Sequence, residues 1–242
     1  ALTVPKSGAK LDENEDASAA NPAAGRFAVA DGASESWQAG AWARHLAIAF
    51  AKAPPDPDTF ADWLTFCRAS FQPPAAADTW YAETKQAEGG FATLVGVSFR
   101  EPSSGSGAMW KAVAVGDACA IHSRAGKILV AFPIDDPSAF ANRPPLIGSV
   151  SGFASEPEWL AGRAEVGDLF YLLSDGLAAW FLAAAADGRN PAEILDGLFD
   201  DPPAVRFRDW VESERSQRTI RDDDTTVVRI RIDPARRAET PQ

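Results

Sequence analysis

Five short acidic stretches stand beside apolar runs: Asn14-Glu15-Asp16-Ala17, Ala30-Asp31-Gly32, Val115-Gly116-Asp117, Ser174-Asp175-Gly176 and Asp222-Asp223-Asp224-Thr225. Taken singly each has an ordinary reading. Asp-Gly after a strand usually makes a turn, because Gly supplies a positive φ. Gly116-Asp117 reads as a hairpin turn, and Asp222–Asp224 as a solvated turn with Arg221 as its charge partner. Asp175 says more. It follows the apolar run Leu169–Leu173, and a carboxylate ending a buried strand must be paired, metal-bound or wetted in a cleft. Taken jointly, five such corners predict a gathered set. Two carboxylates about 4 Å apart repel by roughly 1 kcal/mol even at the dielectric constant of water, so the set requires cations. The donors are all oxygen, which selects Mg2+ or Mn2+ over zinc.

The elements that must position these residues follow from periodicity. Phe27–Ala30 is a short buried strand and Ala17–Gly25 a small-residue loop with the turn signal Asn21-Pro22. Ser34 or Ser36 caps a helix across Trp37–Lys52, and a second helix covers Thr59–Ser70. Beyond Gly89-Gly90 the pattern turns β-branched and aromatic. Strands are expected over Phe91–Phe99, Met109–Val115, Ala118–Ser123, Lys127–Phe132, Trp159–Val166 and Leu169–Ser174, with Pro102–Gly107 as a hairpin loop. Helices follow over Leu177–Ala186, Ala192–Phe199 and Val205–Gln217, then a last strand over Thr225–Ile232. Residues 1–12 form an irregular or edge segment. Residues 133–157, rich in Pro, Ser and Asp, are long for a connection and read as a functional flap; residues 233–242 read as a frayed tail. Strands grouped apart from helices, without βαβ alternation, predict an α+β layered domain, a β-sandwich flanked by helices.

Composition narrows the function classes. The 242 residues carry a net charge of −11, with 46% hydrophobic residues. An acidic chain lacks the clustered Lys and Arg that nucleic acid or an anionic membrane would need. Leu169–Ala186 is the only membrane candidate, and Asp175 near its middle argues against a span. The two cysteines, Cys67 and Cys119, have no metal or redox spacing and fit a reducing cytosol; the N-terminus lacks a signal-peptide core. A cytoplasmic protein is the expectation.

The ordered set of motifs carries a family resemblance. Asn14-Glu15-Asp16-Ala17, Ala30-Asp31-Gly32, Ala92-Thr93-Leu94, Val115-Gly116-Asp117, Leu173-Ser174-Asp175-Gly176-Leu177 and Asp223-Asp224-Thr225-Thr226 resemble the metal-dependent PPM (type 2C) serine/threonine phosphatases, bacterial type, over residues 8 to about 232. The resemblance implies one phosphatase domain over 1–242, a four-layer αββα sandwich, and hydrolysis of phosphoserine or phosphothreonine by a water bridging two metal ions. It implies that Asp31, Asp175 and Asp223 carry catalysis. Asp31 bridges two ions, the Gly32 carbonyl joins one, Asp175 and Asp223 hold the second, and Asp117 with Asp175 matches a third site. Glu15 and Asp16 bond metal-bound waters, and Asp224 stands where the family has Asn or Asp. The partners implied are a phosphorylated protein and a cognate serine/threonine kinase.

The departures are specific. Leu11 replaces a phosphate-binding Arg, for which Lys10 or another basic side chain must substitute. Ala33 stands where some animal members have a general-acid His, and Ala118-Cys119 where Ser-Arg is common. Leu11 and Ala33 motivate the alternative, a phosphatase-like module that binds metal or phosphoprotein with weak turnover or none. Of the other reactive types, His45 reads as a core-edge residue, His122 has no evident partner, and Cys67 and Cys119 read as buried, inert thiols.

Overall fold

The computed structural model describes residues 1–34, 36–73, 85–101, 106–140, 143–152 and 154–234. Its strands are β1 Leu2–Val4, β2 Asp16–Asn21, β3 Arg26–Asp31, β4 Phe91–Ala92, β5 Leu94–Arg100, β6 Ala108–Val115, β7 Cys119–Arg124, β8 Lys127–Phe132, β9 Ile147–Gly148, β10 Glu158–Ala164, β11 Leu169–Leu173 and β12 Thr225–Arg231. They form two five-stranded antiparallel sheets, β1-β12-β11-β7-β8 and β10-β6-β5-β3-β2, beside a small β4-β9 pair. The helices are α1 Ala39–Lys52, α2 Phe60–Ser70, α3 Asp175–Ala186, α4 Pro191–Gly197 and α5 Pro203–Ser216.

The layering follows from strand alternation. In β11, Phe170 and Leu172 point into a core shared by both sheets, with Val29, Val95, Trp110 and Ile230. Their neighbours Tyr171 and Leu173 point outward, onto Leu177 and Phe181 of α3 and Phe207 and Val211 of α5. On the other sheet Ala28, Leu94 and Val113 face Trp42, Leu46 and Phe50 of α1 and Leu64 of α2. Apolar side chains on both faces of both sheets demand a helix layer on each side, so the four-layer αββα sandwich expected from sequence is present.

Several local expectations are corrected. The small-residue loop over Ala17–Gly25 is largely strand β2, held by full pairing with β3 from Asp16↔Asp31 to Asn21↔Arg26; its Ala and Ser residues carry little strand propensity, and tertiary pairing decides. α1 starts at Ala39, not Trp37. Gln38 precedes it with φ 54°, and the Ser36 hydroxyl accepts the Phe91 N–H at 2.9 Å rather than capping the helix. The run Phe91–Phe99 breaks at Thr93, whose N–H donates to the Asp31 carbonyl at 2.8 Å. α3 begins at Asp175, two residues before its apolar stretch. Gly116-Asp117 is not a hairpin turn but the crossing from β6 in one sheet to β7 in the other. His122 does have a partner: its Nε2 lies 2.7 Å from Asp168 Oδ2. Segment 133–157 is partly tied down. Pro137–Ala139 is a 3-10 turn, and the buried Ile147 pairs with Ala92; residues 141, 142 and 153 lie outside the described residues, as do 102–105 of the hairpin loop and 235–242 of the tail. Among the described residues no helix is long and apolar enough to cross a membrane.

Candidate metal centre

Strand parity decides where the first two carboxylates go. Val29 faces the space between the sheets, so Asp31, two residues on, faces the same way at the strand's end. Asp16 is the register partner of Asp31, and directly opposed residues share a face. Both aspartates therefore stand at one mouth of the sandwich. The Gly32 N–H donates to the Glu15 carbonyl at 3.2 Å, locking the two strand ends together.

The other sheet delivers the remaining acids to that mouth. Ser174 joins the end of β11 to the start of β12: its N–H donates to the Thr226 carbonyl at 3.1 Å, and its hydroxyl accepts the Thr226 N–H at 3.0 Å. This places Asp175 on the first turn of α3, where the helix N-terminus favours negative charge. Asp223 lies in the turn before β12. Arg215 of α5, 7% exposed, holds that turn by donating to the Asp223 carbonyl, to Thr225 Oγ1 at 3.1 Å and to the Pro5 carbonyl at 2.9 Å. Asp117 follows Gly116, which has φ +101°. A Cβ at Gly116 would lie 2.5 Å from the Thr93 methyl and 2.9 Å from the Pro145 carbonyl oxygen, so only glycine lets the crossing chain pass.

The result is a cavity of about 460 Å3 lined by Asp31, Gly32, Asp117, Asp175 and Asp223, with Ala33, Ser34, Thr93, Arg143 and Arg221 among its other walls. These five are the proposed ligands, brought together from four chain segments. Asp16, Glu15 and Asp224 are not among its lining residues. Asp16 is buried beside Asp31; neither of its carboxylate oxygens makes a hydrogen bond of normal geometry, although the Thr226 and Ser174 hydroxyls lie near enough to act on it. Glu15 pairs with Lys6 at 3.1 Å. Asp224 is buried and accepts the backbone N–H groups of Lys6 at 2.8 Å and Glu15 at 2.7 Å, tying the N-terminal segment to the head of β12.

Burial and mutual repulsion raise four of these acids, Asp16, Asp31, Asp117 and Asp175, above the usual carboxylate range. Asp117 is pushed up to about 7, by burial first and then by Asp175. Asp16 is also pushed up to about 7; burial dominates, Asp224 and Asp175 add to it, and the hydroxyls of Thr226 and Ser174 pull the other way. Asp31 is raised well above its ordinary value by burial and then by Asp16, Asp175, Asp223 and Asp117. Asp175 is raised by burial and by Asp223. Such a cluster is matched to divalent cations. Its donor set is all oxygen, and the orphaned Asp16 oxygens are polar atoms that burial alone leaves unexplained. Among the described residues no three of these side chains close on a single ion.

Other reactive groups lie elsewhere. His45 Nε2 meets the Cys67 carbonyl at 2.9 Å, at the edge of the α1–α2 core. Cys67 and Cys119 are buried, and burial pushes both thiols up to about 12. Arg143 and Arg221 escaped sequence reasoning. Arg221 was read only as a partner for the acidic run it precedes, and Arg143 carried no motif.

No family model and no curated protein sequence matches this chain. Solved structures do. The photosystem II phosphatase PBCP is 17% identical over 95% of this chain and 96% of its own, with a TM-score of 0.62. The PPM Ser-Thr phosphatase MsPP from Mycobacterium smegmatis, solved in complex with cacodylate, is 22% identical over 96% and 95%, with a TM-score of 0.55. The fold is that of the PPM phosphatases. The catalytic domain of the serine/threonine protein phosphatase PstP, solved with two manganese ions, is 20% identical over 96% of each chain, with a TM-score of 0.54. In this chain the ends of the two sheets meet at one mouth, and the four carboxylates line the cavity there.

Proposed function

We propose that this chain is a metal-dependent phosphoprotein phosphatase hydrolysing phosphoserine and phosphothreonine. The observation that carries the reading is the convergence of Asp31, Asp117, Asp175 and Asp223 on one cavity, at the open end of a PPM-type sandwich and above the orphaned carboxylate of Asp16. Asp31, with the Gly32 carbonyl, Asp175 and Asp223 would hold two Mn2+ or Mg2+ ions, and Asp117 with Asp175 would offer a third position. When bound, such ions supply Lewis-acid activation of water and stabilise charge developing on the phosphoryl group.

The protein's own contribution is geometric and electrostatic. The ties Gly32–Glu15 and Ser174–Thr226 fix the strand ends within each sheet, and Asp224, accepting the Glu15 N–H, ties the two sheet ends to each other. Asp16 and Glu15 support Asp31 from the neighbouring strand. Asp224 acts by anchoring residues 6 and 15. The lining holds no imidazole and no thiol among the described residues, so proton transfer to the leaving oxygen does not come from His or Cys. We read residues 1–242 as one catalytic domain working in the cytoplasm on phosphorylated protein, with 133–157 as the element beside the site that selects it. A serine/threonine kinase is the class of enzyme that must supply this substrate.

The test is phosphate release from a phosphothreonine peptide by Asp31→Asn and Asp175→Asn beside the wild type, all with Mn2+. Each variant loses activity by at least about a hundredfold while staying folded. Wild-type rates from either variant would sink the assignment.

A further inference from the structure

The cavity contains a charge problem that the carboxylates do not solve. Four aspartates line it, and without an ion at the third position two divalent cations would neutralise them and no more. A phosphoryl group arriving as a dianion then needs positive charge from somewhere else. The position where the resembling family has an Arg is Leu11, which is 66% exposed and is not among the cavity's lining residues. Lys10, next to it in sequence, is not among the lining residues either, and Lys6 is already held by Glu15 at 3.1 Å and by the Ser34 hydroxyl at 3.3 Å.

Two cations do line the cavity, Arg143 and Arg221. Other arginines of the fold are committed: Arg124 to Asp168, Arg215 to the turn at Asp223, Arg229 to Asp196. Arg221 is not. Its closest acidic partner is Asp175, at 3.8 Å from Nη1, beyond hydrogen-bond reach. No hydrogen bond engages its guanidinium among the described residues. Its stem is nevertheless placed. It packs by Gly176, where a Cβ would come 3.9 Å from Arg221 Cβ, and it borders a second recess of about 260 Å3 beside Pro137, Phe140 and Trp180. The head group, 56% exposed, is thus anchored at its base and keeps its planar fork of donors, the geometry suited to bidentate phosphate binding. Arg143 is exposed too.

We infer that Arg221, assisted by Arg143, is the side chain that grips the substrate's phosphoryl group, replacing the cation absent at Leu11. This rests on the phosphatase reading and adds the binding residues it lacks. Arg221 touches the phosphoryl oxygens directly, and its distance from Asp175 lets it do so without displacing a ligand.

The location makes two measurements move in opposite directions. Removing a positive charge beside Asp175 favours cations and disfavours phosphate. The experiment is isothermal titration of inorganic phosphate into Mg2+-loaded protein, with a parallel Mg2+ titration of the metal-free protein. Arg221→Ala weakens phosphate binding by about ten- to a hundredfold, the range for a lost charge-assisted hydrogen-bond pair, while Mg2+ binds as tightly or tighter. Arg221→Lys restores part of the phosphate affinity, Arg143→Ala gives a smaller loss, and Leu11→Ala changes neither quantity. If Arg221→Ala tightens Mg2+ but leaves phosphate unchanged, Arg221 is only a charge partner of the carboxylates and the inference is overturned. If both affinities collapse together, its role is structural and the inference is equally overturned. If wild-type protein binds phosphate but releases none from phosphopeptides, the phosphatase reading fails while the grip stands. If the wild type binds no phosphate at all, the inference fails, and peptide turnover alone decides the phosphatase reading.

Discussion

Asp16 offers a perturbation whose sign runs against intuition. It is buried, 7% exposed, its two oxygens make no hydrogen bond of normal geometry, and it is pushed up from 3.8 to about 7. A carboxyl raised that far destabilises the ionised folded state by about 4 kcal/mol. The sign follows from proton linkage. The folded chain holds this proton longer than the unfolded chain, so metal-free stability falls as pH rises from about 4 to about 7, then levels. Asp16→Asn cannot ionise and lacks that loss. In chelator at pH 8 it should be more stable than the wild type, by an amount approaching 4 kcal/mol. The gap widens because removing Asp16 also relieves Asp31, and it narrows because a buried amide needs partners of its own. At pH 4 the two proteins should be nearly equal. Urea denaturation in chelator at pH 4, 5.5, 7 and 8 measures the difference. Saturating Mn2+ at pH 8 should raise wild-type stability by RT ln(1 + [L]/Kd), about 2.7 kcal/mol at a hundredfold excess, and shrink the variant's advantage. Parallel pH profiles for the two proteins in chelator would refute the reasoning, because Asp16 would then carry no buried charge.

Three further outcomes are expected. Gly116→Ala must place a methyl 2.5 Å from Thr93 at φ +101°, which should cost about 2–4 kcal/mol and weaken Mn2+ binding by displacing Asp117; urea midpoints and a metal titration report both. Far from the cavity, Asp168 is 1% exposed, accepts two bonds from Arg124 at 2.7 and 3.0 Å, and sits 2.7 Å from His122 Nε2. These partners hold it down at about 2 despite its burial. Its contribution, about 2–3 kcal/mol, is present above pH 4 and is lost as pH falls toward 2, so Asp168→Asn should be destabilised at pH 7 and converge with the wild type in acid denaturation. Cys67 and Cys119, both near 12, should resist a thiol-disulfide reagent at pH 8 until denaturant is added.

The layered fold was legible because both sheets are apolar on both faces, as in Phe170-Tyr171-Leu172-Leu173 on β11, and only a sandwich between helices buries such strands. Asp31, Asp117, Asp175 and Asp223 were legible because carboxylates beside apolar runs are costly without a partner. β2 was not, since Ala17, Ser18 and Ala19 have weak propensity and take strand form only through pairing with β3. The start of α1 was missed because Ser36, a good local cap, is claimed by Phe91 from 55 residues away. The crossing at Gly116-Asp117 has the same local chemistry as a hairpin, and only Thr93 and Pro145 pressing on Gly116 tell the two apart. Arg221 and Arg143 were illegible for a related reason: a cation's role is set by what stands opposite it, and the acids they face come from other segments.

The account stands most directly on one assay, phosphate release from a phosphothreonine peptide by the wild-type chain as Mn2+ is titrated in and then chelated. Turnover should rise from background with added Mn2+, saturate, and return to background when chelator is added. Undiminished turnover in chelator would contradict it, as would Mn2+ binding that produces no phosphate at any concentration.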